Sequence, residues 1–593
     1  MAYASLQALP LELWGSIESH LSNADLKSLR LACKQFNNSV SLRFDRVFLS
    51  ANSLKIEVFR NIASHDKFRH RVDAFSEGDV GPHYVSEWAA GFDPPYQYRT
   101  AEPVVFKKSP VPEECRESRE YLSDEDEAAE EFTCTRFDFD YVRPDWDGIL
   151  PDEYYPGWIL YGKYGIKPYV FEPEDVCPKW FRYVIEETHF LLKYWRDYVD
   201  PRDRMDDRIA GLEQVFAQPE MGERWRLYEA LLRQQEEVLA GQSDLEAFAF
   251  GVKQFPALKR VTITPAPHGN IIIPLEMTPT THAFPKGFNY PIRQTWLYPS
   301  RNDPASAFFW HQYPELGKRY RGFRAAMRVL ANEPNCVSEL VITPDSKPVG
   351  ILSAMFDEPF EEYNDFVALL KQPGFRRLDL ALFVGDDNQE YYKLAYRGMR
   401  NGRLRQALGE AKDMEEFTLN TTFANNRDDK DSLIPLESIL PVKQWTKLHH
   451  FGLSGFRISQ DDLLSFLKAL PKSVRSIELN KLYFARRPHG TWYGMLEELK
   501  RMVREGSLWG DRDAESRPKL SIGVPYVRQK MHSYWLGHCT RIDKEVEEFI
   551  YGEGENPFQK KRPYDIVPGV GVHTLEPDYE PQYVQVASGT FCK

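Results

Sequence analysis

A short strand motif, apolar–x–apolar, recurs along this chain and constrains its fold more than any other feature. It is seen in RVFLS (Val47/Leu49), LKRVTIT (Val261/Ile263), SELVIT (Leu340/Ile342) and RRLDLAL (Leu378/Leu380). It continues in EEFTLN (Phe417/Leu419), HHFGLS (Phe451/Leu453), RSIELN (Ile477/Leu479) and PKLSIG (Leu520/Ile522). A two-residue period puts each pair on one face of a strand. From Leu340 onward the motif returns every 25 to 45 residues, roughly. Helical stretches lie between the strands. In SQDDLLSFLKALPKS, Leu463, Phe466, Leu467 and Leu470 form the apolar face, Ser459 and Asp462 a capping-box-like start, and Pro471 the stop. DLEAFAFGVKQF, YNDFVALLKQ and GTWYGMLEELKRMVREG have the same character. Alternation of this kind predicts parallel strands joined by right-handed crossovers, each unit burying its face on the next.

The expected fold class is therefore α/β: an irregular, leucine-rich-repeat-like β/α solenoid with long insertions, its spacing looser than the roughly 20 to 29 residues of a tight repeat. The solenoid proper is expected over 241–550, interrupted by a Pro- and aromatic-rich insertion at 264–312, with a first helix and strand at 51–74. Residues 75–177 read as a Pro-, aromatic- and acid-rich insertion, partly disordered, containing the run Ser123 to Glu131. Residues 178–240 read as helical, and 551–593 as an extended tail.

The first 50 residues follow a different pattern. Leu13, Ile17 and Leu21 fall at i, i+4 and i+8; Leu26, Leu29 and Cys33 at i, i+3 and i+7. Pro10 suits a first helical turn, and SNAD separates the two helices. Phe36 and Val40 open a third. Three helices in about 40 residues lie at the lower size limit for an independent core. Leu11, Trp14 and Leu31 lie off the stripes, so a second apolar side needs a cover, either the rest of the chain or a partner.

LPLELWGSIESHL followed by LKSLRLACKQF resembles the F-box motif over about 40 residues (5–50). The leading Leu-Pro, the helix after it and Leu-Arg-Leu-x-Cys-Lys before an aromatic carry the likeness. The resemblance implies a three-helix module that docks on the Skp adaptor of a cullin–RING ubiquitin ligase. It places Leu9, Pro10, Leu13, Ile17, Leu26, Leu29 and Cys33 at adaptor-facing or motif-core positions. Trp14 stands where many members have an aliphatic residue and Phe36 where many have tryptophan. The segments VSLRFDRVFLS and IEVFRNIASHDKFRHRV also resemble the continuation seen in fungal F-box proteins.

Composition narrows the function classes. A net charge of -13 argues against a dedicated nucleic-acid binder. The seven cysteines are scattered without a CxxC pair, which reads as reduced thiols rather than disulfides or a zinc module. The N-terminus lacks the pattern of a signal peptide, and no apolar run is long enough for a membrane span, so a cytoplasmic or nuclear protein is expected. No GxSxG, HExxH or P-loop occurs. His532, His538 and Cys539 have the residue types of metal ligands but no further close ligand, and the acids of DFDYVRPDWD lack the Gly and Glu of a calcium loop. No metal and no cofactor is expected.

The leading expectation is a non-catalytic receptor, whose polar strand positions Arg377, Asp379, Glu416, Thr418, Asn420, His450, Ser454, Glu478 and Asn480 face a protein target. A Skp-binding protein acting outside a cullin ligase is the alternative, and an enzyme with a buried site in 75–330 comes third.

Overall fold

Parallel pairing of the repeated strands is the feature around which the chain is built. In the computed structural model, residues 23–40, 46–70, 74–78, 219–264, 320–342, 350–384, 396–421, 433–484, 490–525 and 539–558 are described, with the pairs 104–105, 133–134 and 583–584 and a few single residues. The chain divides into two compact units. The first comprises Met1–His83, Arg233–Phe284 and Gln294–Lys593; the second comprises Tyr84–Leu232 and Pro285–Arg293.

All eight strands expected from the apolar pairs are present. In chain order the strands are β1 (Arg46–Leu49), β2 (Ala74–Gly78), β3 (Val104–Val105), β4 (Thr133–Cys134), β5 (Arg260–Thr264), β6 (Glu339–Ile342), β7 (Ile351–Leu352) and β8 (Arg377–Phe383). There follow β9 (Glu416–Thr421), β10 (His450–Ser454), β11 (Arg457–Ile458), β12 (Ser476–Asn480), β13 (Tyr483–Phe484), β14 (Lys519–Pro525), β15 (Cys539–Arg541) and β16 (Tyr583–Val584). The main sheet of the first unit runs β1-β2-β5-β6-β8-β9-β10-β12-β14-β15-β16, so strand order follows chain order, with β7 beside β8. Pairing is parallel from β1 to β14 and antiparallel for β14–β15 and β15–β16. Four of the five residues of strand β2 lie inside the stretch read as insertion from residue 75. Its sequence AFSEG has one large apolar residue, and its pairing with β1 and β5 makes it a strand.

The helices are α1 (Asn23–Ala32), α2 (Lys34–Ser39), α3 (Ser53–Ser64), α4 (Met221–Gly241), α5 (Ser243–Gln254), α6 (Arg321–Asn332) and α7 (Glu361–Leu370). They continue with α8 (Arg397–Arg400), α9 (Arg403–Gly409), α10 (Leu436–Ile439), α11 (Gln460–Ala469), α12 (Trp492–Arg504) and α13 (Asp543–Tyr551). In the first unit, α3, α5, α6, α7, α9, α10, α11, α12 and α13 each pack on the next, a row that matches the order of the strands. Gly251 of α5 permits close approach to α3, because a Cβ there would lie 2.2 Å from the Phe59 ring. A buried Asp244 carboxylate of α5 accepts two hydrogen bonds from Arg321 of α6, at 2.6 and 2.9 Å. Between sheet and helix row lies one continuous core, which includes Val261, Leu340, Leu378, Phe417, Phe451, Ile477 and Leu520.

Corners and caps follow local chemistry. The chain leaves β10 at Gly455 (φ 68°), where a Cβ would lie 2.0 Å from the Thr421 carbonyl oxygen. The equivalent corner after β12 is Lys481 at φ 49°, whose N–H donates to the Gly523 carbonyl at 2.9 Å. Ser459 caps α11 by accepting from the Asp462 N–H at 3.2 Å, as expected. The capping box, however, is not reciprocal. Asp462 is one methylene shorter than the Glu that reaches back in such a box, and its carboxylate accepts instead from the Leu436 N–H of α10 at 2.9 Å. Beyond α13, Phe558 stacks on Trp492 and Asn556 donates to the Tyr493 carbonyl, so the described start of the tail packs on α12.

In the second unit, β3 and β4 pair antiparallel, and Phe181, Trp225 and Tyr228 form a ring cluster with Phe181 fully buried. The acidic run Ser123 to Glu131 lies outside the described residues, as does most of 264–312. Among the described residues no helix is long and apolar enough to cross a membrane.

Candidate functional site

Because strand side chains alternate, turning the apolar pairs inward turns the intervening residues onto the opposite face of the sheet. Register assembles them into three rungs. One runs Arg260, Glu339, Arg377, Glu416, His450, Ser476 and Lys519. The next runs Thr262, Val341, Asp379, Thr418, Gly452, Glu478 and Ser521. A third carries Ala381, Asn420, Ser454, Asn480 and Gly523. All nine polar positions expected from the sequence thus lie on one face of four adjacent strands. Arg260, Glu339 and Ser476 extend the same face. The alternation that selected the nine also marks these three, each being the residue just before an apolar pair.

The first rung is neutralised along most of its length. Glu339 accepts from Arg260 at 2.7 Å and from Arg376 at 2.6 Å. Burial works to raise its pKa, but those two guanidinium hydrogen bonds win and hold the carboxyl below its ordinary value. Arg377 bridges Asp379 at 2.7 Å and Glu416 at 3.0 Å. Asp379 is buried; loss of hydration pushes its carboxyl up despite Arg377 and the Thr418 hydroxyl. His450 Nδ1 lies 3.0 Å from Ser476 Oγ, and burial lowers its pKa, disfavouring the charged ring. Asn480 Oδ1 is buried with no hydrogen-bond partner among the described residues. Among the described residues no group of three His, Cys, Asp or Glu is placed to hold a metal ion.

The N-terminal helices have a separate core. Leu26, Phe36 and Val40 bury against one another, with Leu21, Leu29, Cys33 and Leu42 packed around them. The Cys33 sulfur caps α2, accepting from the Phe36 N–H at 3.5 Å. Ile17 is helical and half-buried, while Leu9, Pro10, Leu13 and Trp14 lie outside the described residues. Of the positions read as adaptor-facing or motif core, Leu26 and Phe36 are interior. Exposure falls instead on Leu31, which is 87% accessible. Its sequence signal is its place off the α1 stripe, next to Arg30 in the Leu-Arg-Leu run.

No family model and no curated protein matches this chain.

Proposed function

We propose that this chain is the substrate-recognition subunit of an SCF-type ubiquitin ligase. An F-box at 5–50 binds the Skp adaptor, and a leucine-rich-repeat-like solenoid carries the target. One observation supports this reading above the others: helices α1 and α2 close a small core of their own and leave Leu31 in solvent, within a segment whose sequence resembles an F-box. A surface leucine beside a marginal core gains most from a partner that covers it. The strand order, which follows chain order, and the row of helices beside it support the solenoid part of this reading. Of the three-rung polar face, Arg377, Glu416, Asn420, His450 and Glu478 keep side chains accessible and are the surface offered to the target, while Asp379, Thr418, Ser454 and Asn480 are buried beneath them. In this reading the chain performs no bond chemistry; it raises the local concentration of the target's lysines near a charged conjugating enzyme.

The test is capture of a Skp adaptor and a cullin by the tagged full-length protein, for the natural sequence and for Leu31→Asp. Covering a leucine is worth about 1.5 to 3 kcal/mol, so the substitution should weaken adaptor capture at least about tenfold. Undiminished capture by Leu31→Asp, or no capture by the natural protein, overturns the reading. Adaptor without cullin would point to a Skp-binding protein that works outside a ligase.

A further inference from the structure

Where β12 and β14 begin, Arg475 and Arg512 reach one carbonyl oxygen, and Arg517 binds the backbone of Arg512. Arg475 Nη1 donates to the carbonyls of Lys472 and Val474, at 2.6 and 3.1 Å. Arg512 Nη1 donates to the same Val474 oxygen at 3.2 Å. The two guanidinium nitrogens are therefore no farther apart than the sum of their bonds to that shared atom. Arg517 Nε donates to the Arg512 carbonyl at 3.2 Å, and its guanidinium lies over the Tyr551 ring, 5.4 Å from the centroid. Tyr551 is anchored by its hydroxyl, which donates to the Pro518 carbonyl at 2.9 Å.

What sets this cluster apart is the nature of its partners. Elsewhere on the sheet, Arg260, Arg376 and Arg377 end on carboxylates. Here the chain carries Asp511, Asp513 and Glu515 within a few residues, yet no ion pair is made by Arg475, Arg512 or Arg517 among the described residues. The guanidiniums are held by neutral carbonyls, which orient them and leave their charge uncancelled. Arg512 is half-buried, and burial together with the Arg475 charge disfavours its protonated form. Arg475 is exposed, so the cluster opens to solvent. Unspent N–H donors remain on all three side chains. In a protein of net charge -13, assembling like charges costs energy that a bound anion returns.

We infer that Arg475, Arg512 and Arg517 form a binding site for a dianionic phosphate monoester. Such a group carries about 1.5 to 2 negative charges at pH 7 and three acceptor oxygens, which suits two guanidiniums held at one carbonyl and a third on the adjoining backbone. A carboxylate would cancel only one. The site is read from the cluster alone and stands whether or not the ligase reading holds.

The experiment is calorimetric titration of the full chain with phenyl phosphate, with benzoate as the singly charged control. Saturable phenyl phosphate binding is expected, with benzoate at least about tenfold weaker. Arg475→Ala, at an exposed position, and Arg517→Ala should each weaken it about tenfold or more, and Lys468→Ala on exposed α11 surface should leave it within about twofold. Absence of phenyl phosphate binding overturns the site, as does equal binding of benzoate. Equal loss in Lys468→Ala would show diffuse surface charge and overturn it too. A phosphoserine peptide and glucose 6-phosphate identify the source: tighter peptide binding assigns a phosphorylated polypeptide, and equal binding assigns a free phosphorylated metabolite.

Discussion

The two hydrophobic cores of the first unit differ in kind. The core between sheet and helix row is continuous from Val47 to Phe558, and every repeated strand contributes two or more residues to it. Among the described residues, the core of α1 and α2 has the buried side chains Leu26, Phe36 and Val40. Stability from apolar burial scales with area removed from water, so the first supports itself while the second is marginal. The contrast separates residues that hold a fold from residues left in solvent. Leu31, within five positions of both Leu26 and Phe36, belongs to the second kind.

The largest effect should come from cutting the sheet core. Phe417 is fully buried, its ring 4.7 Å from that of Trp445, which is itself fully buried. Phe417→Ala should cost about 3 to 5 kcal/mol of stability in urea titration. A loss under about 1 kcal/mol would mean that the core at this point is loosely packed, and would erase the contrast.

Lys55 sharpens it from the opposite side. This residue of α3 is buried, has no acid beside it among the described residues, and has its pKa pushed down to about 7 by burial. Between about pH 7 and its unfolded value of 10.5, the unfolded chain binds the proton and the folded chain does not. Stability should therefore rise with pH across that window, and the full cost is present at and below about pH 7. Lys55→Met should stabilise the protein at pH 7 by an amount on the order of 3 kcal/mol, and by progressively less as pH approaches 10. Urea titrations at pH 7 and 9.5 measure this; a gain equal at both pH values would show that the ammonium is not the source.

The smallest expected effect is at Leu31. Leu31→Ser removes an exposed side chain and should change the unfolding free energy by less than about 0.5 kcal/mol. Loss of well over 1 kcal/mol in the isolated protein would place Leu31 in a core after all.

The strands and most helices were legible because their signals are local. A pair such as Leu479 and Ile477 is apolar at the strand period, and Ser459 stands at its cap position, whatever lies elsewhere in the chain. The nine polar face positions followed from the same alternation. Strand β2 was not legible, since AFSEG acquires its identity from β1 and β5 on either side. Nor was the role of Asp462, whose carboxylate is claimed by Leu436 across a helix boundary.

By itself, then, the sequence determined the period of the strands, the apolar faces of the helices and the apolar spacing of the first 50 residues. Each depends on spacing within a few residues, which backbone geometry converts directly into a face. Tertiary structure alone decided which charges meet. Arg260 and Arg376 share Glu339 from either side because β5 and the start of β8, which follows Arg376, flank β6. Arg475 and Arg512 converge on the Val474 oxygen because separate loops reach the same corner, while nearby acids such as Asp511 and Asp513 form no ion pair with them among the described residues. Charge pairing depends on distances of a few ångströms between residues far apart in the chain, and only packing sets those.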